Sequence, residues 1–156
     1  FRKDLLEDFI SEKLNFCQYN TSKSSFGVIR GLHFQTAPNA QTKLVSVSHG
    51  EILDVVLDIR KDSPSYGKHY SVILNDINNF QLLIPKGFAH GFVSLSEIVR
   101  FNYQVDNYYS SKNEFGINPF DNDLNINWIL EKNQIIINNK DKSHKNLSES
   151  PLYMFK

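Results

Sequence analysis

The chain has 156 residues with 17 basic and 17 acidic side chains, so its formal charge is zero and no global basic field marks nucleic acid or an anionic membrane as its partner. This length fits one domain, read as residues 1–156, with a core large enough to need no staples; the single cysteine, Cys17, closes no internal disulfide, and no apolar run nears the roughly 20 residues that cross a bilayer. A reducing, cytoplasmic setting fits, and because Phe1 is not an initiator methionine the natural beginning of the chain is expected to be missing.

From Lys3 to Lys13, Leu5, Leu6, Phe9 and Ile10 recur at helical spacing between acidic residues, which predicts a short amphipathic helix. Helical periodicity then stops. Short β-branched and aromatic runs follow at Phe16–Asn20, Gly27–Phe34, Lys43–Ser48, Ile52–Ile59, Tyr70–Leu74, Gln81–Ile84, Gly91–Ser94 and Val99–Val105, divided by turn chemistry at Pro38-Asn39, His49-Gly50, Ser63-Pro64 and Pro85-Lys86-Gly87. Eight strands at this spacing predict a mainly β sandwich or jelly roll. Ser48-His49-Gly50-Glu51 reads as the turn of a hairpin, with Gly50 supplying a positive φ, and Pro85 to Gly91 reads as a reversal between strands. Beyond Asn107 the chain is polar and asparagine-rich. Trp128 and Ile135-Ile136-Ile137 are its apolar anchors, and it is expected to wrap the barrel as loops and a short helix.

The chemistry concentrates in Gly27-Val28-Ile29-Arg30-Gly31-Leu32-His33-Phe34-Gln35 and in Lys43, ten residues after the histidine. Adjacent apolar strands thereby deliver an imidazole, a guanidinium and an ammonium, the equipment for moving a proton on an anionic substrate. A barrel with histidines also invites a metal. Yet position 35 is Gln35, and no His-x-His or His-x-x-x-His pair occurs, so the expectation is acid–base work with neither metal nor other cofactor.

Several motifs in order, from about Phe16 to Asp141, then resemble the dTDP-4-dehydrorhamnose 3,5-epimerases, small cupin-fold enzymes that invert carbons flanking the 4-keto group of nucleotide-linked deoxysugars. They include Gln18-Tyr19-Asn20 with Ser22, Gly27 to Gln35, Gln41 to Val45, Asp54 to Arg60, Ile84 to Phe92, Tyr103 with Asp106 to Tyr109, and Lys140-Asp141. The resemblance implies a cupin-type jelly roll (double-stranded β-helix) with a few short peripheral helices, a homodimer, and a nucleotide-linked 4-keto sugar, dTDP- or GDP-bound, as substrate.

It also implies roles. His33 matches the base, Asp141 the carboxylate that orients it, Lys43 the cation near the ketone, and Tyr103 the acid on the other ring face. Arg30 matches a diphosphate-binding arginine, Gln18 and Asn20 match contacts to the nucleotide base, and His90 matches a histidine at the cavity edge; Lys142, beside Asp141, is taken as a further substrate contact. Arg30 lies three residues before His33, hence on the opposite face of a regular strand, so a shared site would require a bulge or delivery to a neighbouring subunit's pocket. Tyr19 stands where an acidic residue is common, and Thr42 where glycine or alanine is. Relatives that invert only C3 or C5, or act on GDP-linked hexoses or heptoses, share these catalytic residues. Two rival readings are a 3,4-ketoisomerase, which Gln35 disfavours, and a non-catalytic sugar-nucleotide-binding cupin.

Overall fold

The computed structural model describes residues 2–10 and 13–150. Helix α1 (Lys3–Ile10) is followed by strands β1 (Gln18–Ser25), β2 (Val28–Gln35), β3 (Lys43–His49), β4 (Glu51–Asp58), β5 (His69–Asn75), β6 (Gln81–Ile84), β7 (Phe88–Ser94) and β8 (Ile98–Val105). Short elements close the chain: β9 (Glu114–Gly116), β10 (Ile136–Ile137), helix α2 (Asn139–Lys142) and two 3₁₀ turns at Lys132–Gln134 and Leu147–Glu149. The expected helix ran to Lys13; residues 11 and 12 lie outside the described residues.

The pairings β1 with β8, β2 with β7, β3 with β6 and β4 with β5 are all antiparallel and nested. This is the pattern of a long hairpin wound into a jelly roll. One sheet runs β1-β8-β3-β6, the other β10-β2-β7-β4-β5 with β9 beside β2. The two sheets enclose Val45, Val47, Ile52, Leu74, Ile84, Phe92, Val99 and Phe101. A second core lies on the outer face of the second sheet, where Leu53, Val55 and Leu57 meet Ile117, Leu124 and Trp128 from the C-terminal segment. Strand β4 therefore buries both faces, which explains why its sequence is a nearly continuous apolar run rather than an alternation. The asparagine-rich segment is a covering layer, pinned where the Trp128 indole N–H donates to the Pro119 carbonyl at 2.8 Å.

Three sequence expectations are corrected. Gly50 has φ +79, but no hairpin forms around it: β3 pairs only within the first sheet and β4 only within the second, so the turn is a corner carrying the chain between layers. The first strand runs Gln18–Ser25 rather than Phe16–Asn20, because β8 supplies a full row of partners even to the polar residues Thr21 to Ser25. Phe88, Ala89 and His90 belong to β7; only Pro85 to Gly87 turn.

Candidate active site

Strand β2 opens the site through an irregularity. Arg30 pairs with Phe92 and His33 with His90, so Gly31 and Leu32 together oppose the single residue Gly91. This is a β-bulge, and it reverses the facing of everything after it. Glycine is required at its centre: Gly31 has φ +123, and a Cβ there would lie 2.5 Å from the Gly91 Cα. Arg30 and His33 consequently line one cavity from one strand, the parity conflict resolved by the bulge rather than by a second subunit.

The bulge also frees the Gly31 amide, which donates to Asp141 Oδ2 at 3.1 Å, while His33 Nε2 lies 2.7 Å from Asp141 Oδ1. Asp141 is 1% exposed on α2, whose first turn is capped by Asn138 accepting from the Asp141 amide. Burial opposes the Asp141 charge, yet the His33 imidazole and the Gly31 amide outweigh it and hold its carboxyl below the usual carboxylate range. An ionised carboxylate only accepts, so His33 Nε2 carries the proton, leaving Nδ1 as the free nitrogen of the neutral ring.

The cavity measures about 230 Å³ and lies between the sheets. His33 enters it from the second sheet, Lys43 and Tyr103 from the first. Lys43 Nζ donates to the His33 carbonyl at 3.3 Å. Burial pulls its ammonium down to about 8, against the Glu114 and Asp54 carboxylates, which favour the charge. Burial pushes the Tyr103 phenol up from its ordinary value, with the Arg30 charge opposing, so it is protonated at neutral pH. His90 shares the wall; its Nε2 is 2.9 Å from Asp54 Oδ2, and its ring stacks on Phe101. Arg30 is exposed at the rim, its Nε donating to Ser24 Oγ at 3.1 Å.

Gln18 and Asn20 stand beside the cavity rather than in its lining. Asn20 pairs across strands with Tyr103, and Gln18 accepts from the amide of Tyr109, a lining residue. Lys142 is not brought to this site: it is exposed and borders a second cavity, about 690 Å³, under Phe120 and Trp128. The reason is helical geometry, since adjacent residues on α2 point in different directions.

Two residues escaped the sequence reading. Glu114 on β9 reaches the lining, accepts from the Tyr109 hydroxyl at 2.9 Å and pairs with Lys140. Burial works against its charge, but those partners hold its carboxyl below the usual range. His144 packs edge-on to His33, ring centroids 5.6 Å apart, with Nε2 3.6 Å from Asp141 Oδ1. Its only sequence signal was the Asp-x-x-His spacing to Asp141, one helical turn. With His33 and Asp141 it forms a group whose ligand atoms all lie within 4.8 Å of one another, a set of metal-ligand types that the missing His-x-His pattern did not disclose. Gln35 takes no part in that group: its amide donates to the Asn39 carbonyl and accepts from the Ser110 amide.

A sequence model of the family described as dTDP-4-dehydrorhamnose 3,5-epimerase matches residues 1–149. The dTDP-4-dehydrorhamnose 3,5-epimerase of Shigella flexneri is 47% identical over 131 residues, 84% of this chain and 72% of its own length; that of Escherichia coli K12 is 42% identical over 149 residues, 96% and 80%. Among solved structures, the dTDP-6-deoxy-D-glucose-3,5-epimerase of Legionella pneumophila, in complex with dTDP-4-keto-L-rhamnose, superposes with a TM-score of 0.94 at 40% identity, covering 100% of this chain and 84% of that one. A 3'-monoepimerase from Streptomyces bikiniensis in complex with dTDP-quinovose superposes at 0.88 with 26% identity, covering 95% and 74%. A jelly roll of this topology, with this match along nearly its whole length, places the chain in the dTDP-4-dehydrorhamnose 3,5-epimerase family, cupin-type isomerases acting on carbohydrate derivatives.

Proposed function

We propose that the chain epimerises a dTDP-linked 4-keto-6-deoxyhexose at both C3 and C5, by proton removal and return through an enolate. The observation that carries this reading is the placement of His33 and Tyr103 in one cavity on opposite sheets, so that a sugar ring between them meets a base on one face and an acid on the other. His33 Nδ1 takes the proton next to the ketone, and the resulting imidazolium is stabilised by Asp141 at 2.7 Å. The electron pair of the broken C–H bond moves to the carbonyl oxygen, where the Lys43 ammonium meets the developing charge. The Tyr103 hydroxyl then returns a proton from the opposite face. Arg30 at the rim suits the diphosphate, and Gln18 and Asn20 suit the nucleotide base; His90, held by Asp54, supports the wall. No redox change occurs, so no cofactor enters the reading.

The choice of dTDP over GDP, of hexose over heptose and of two carbons over one rests on the similar proteins, whose names specify dTDP sugars and mostly 3,5-epimerisation. The reading includes a homodimer: among the described residues β1 has a strand partner on one side only, leaving an edge to which a second copy can add. A cytoplasmic, single-domain enzyme also belongs to it. Among the described residues no helix is long and apolar enough to cross a membrane.

The test is NMR in deuterated water with dTDP- and GDP-linked 4-keto sugars. Deuterium should enter C3 and C5 of the dTDP sugar, and His33→Asn should abolish both signals. Undiminished exchange in that variant removes His33 from the role of base; exchange at one carbon only makes the protein a monoepimerase.

A further inference from the structure

The group formed by His33, Asp141 and His144 contains more than proton transfer requires. In the mechanism above Asp141 serves His33, and His144 has no task. Its Nε2 is nonetheless buried without a hydrogen-bond partner, 3.6 Å from the Asp141 oxygen that His33 already engages. Space has been made for it: a Cβ on Gly116 would fall 2.2 Å from His144 Nε2, and Gly116 is the residue of β9 paired with His33. An imidazole nitrogen kept out of water beside an ionised carboxylate is expected to find a partner.

We propose that His33 Nε2, Asp141 Oδ1 and His144 Nε2 form a site for one divalent transition ion of the zinc type, and that the ion and catalysis exclude each other. Two imidazoles and a carboxylate are ordinary zinc donors at about 2.0–2.1 Å, which in tetrahedral geometry sets donor atoms about 3.3 Å apart. The observed separations of 2.7 Å and 3.6 Å to Asp141 Oδ1 bracket that value, and the two imidazoles offer their ligand atoms within 4.8 Å of each other, so side-chain rotations that draw the rings together would admit the ion. The consequence for His33 follows from its two nitrogens. Metal on Nε2 displaces the proton from that atom, and the neutral ring then carries its proton on Nδ1, the nitrogen that has to be empty to act as base. Asp141, now a ligand, no longer stabilises an imidazolium. The ion therefore stops the reaction by taking the Nε2 side of His33 together with its carboxylate partner.

The binding half of this proposal is independent of the proposed reaction; the inhibitory half rests on it. Calorimetry on the purified, chelator-treated chain with Zn²⁺ alone should give one ion per chain. His144→Ala should weaken binding by about 100-fold or more, since loss even of a partner outside the ligand set costs about 10–100-fold. Gly116→Ala, which keeps all three ligands but displaces the His144 ring, should weaken it too. Co²⁺ should give visible absorption bands in the parent chain that are missing from His144→Ala. In the deuterium-exchange assay Zn²⁺ should inhibit the parent, chelator should restore it, and His144→Ala should resist the same concentration. Equal zinc affinity in parent and His144→Ala, or no binding, overturns the proposal. A parent chain that binds zinc but exchanges no deuterium with any sugar would instead overturn the reaction, leaving the metal site intact.

Discussion

Lys43 offers a quantitative trial of the site, because its proposed role and its burial pull stability and activity in opposite directions. Burial draws its pKa from 10.5 to about 8, a cost on the order of 3 kcal/mol for keeping the ammonium charged in the fold. Lys43→Met keeps the chain length and removes the charge. It forfeits the hydrogen bond to the His33 carbonyl, worth about 1 kcal/mol, so the variant should be more stable by about 2 kcal/mol in denaturant unfolding at pH 7. Between pH 8 and 10.5 the unfolded chain binds more protons at this lysine than the folded one, so the parent gains stability as pH rises through that window, and the advantage of Lys43→Met shrinks with it. Activity should move the other way. Loss of a cation at a developing oxyanion costs about 2.7–4 kcal/mol, a fall in kcat of about 100- to 1,000-fold. In the parent, kcat/KM, which reports the free enzyme, should fall above a pKa near 8, and the variant's residual activity should lack that limb. A variant less stable than the parent, or one with unchanged kcat, refutes the argument.

Tyr103→Phe should retain deuterium exchange on one ring face while product formation slows by about 100-fold, the lower range for loss of a general acid; equal loss of both would show that no separate acid acts there. Asp58 tests the scaffold: it is 1% exposed and accepts from Arg60 at 2.7 Å and from the Ser63 and Ser65 hydroxyls at 2.6 Å each. Burial opposes its charge, but these donors prevail and hold its carboxyl far below the usual range. Its contribution is therefore complete above the unfolded carboxylate's pKa near 4 and is lost as pH falls below it. Asp58→Ala should cost about 3 kcal/mol at pH 7 and flatten the acid limb of the stability curve; an unchanged midpoint of denaturation would refute this.

The eight principal strands were legible because period and turn chemistry are local properties. The layer to which each strand belongs was not. Gly50 announces a change of direction, but a positive φ serves a corner between sheets as well as a hairpin, and only the partners of β3 and β4 decide between them. The relation of Arg30 to His33 was half legible: parity exposed the problem, and Gly31 solved it through a close approach to Gly91 that no local pattern encodes. His33, Lys43 and Tyr103 line one cavity, a convergence that the family resemblance implied and that alternation alone does not encode across two sheets and a bulge. Glu114 and His144 stayed hidden because the segment carrying them has no periodicity of its own; its conformation is dictated by the outer face of the second sheet, to which Ile117 and Trp128 bind it.

That covering segment makes the cavity depend on residues far downstream of the barrel strands. His33 and Asp141 are 108 positions apart, and all eight barrel strands are translated before Asp141 exists. A product truncated after Val105 would lack Asp141 and Glu114 and would leave Leu53, Val55 and Leu57 without the residues that cover them. His33 thus gains its carboxylate only when the segment that buries the outer face of the second sheet is in place, so covering the barrel and assembling the site are one event.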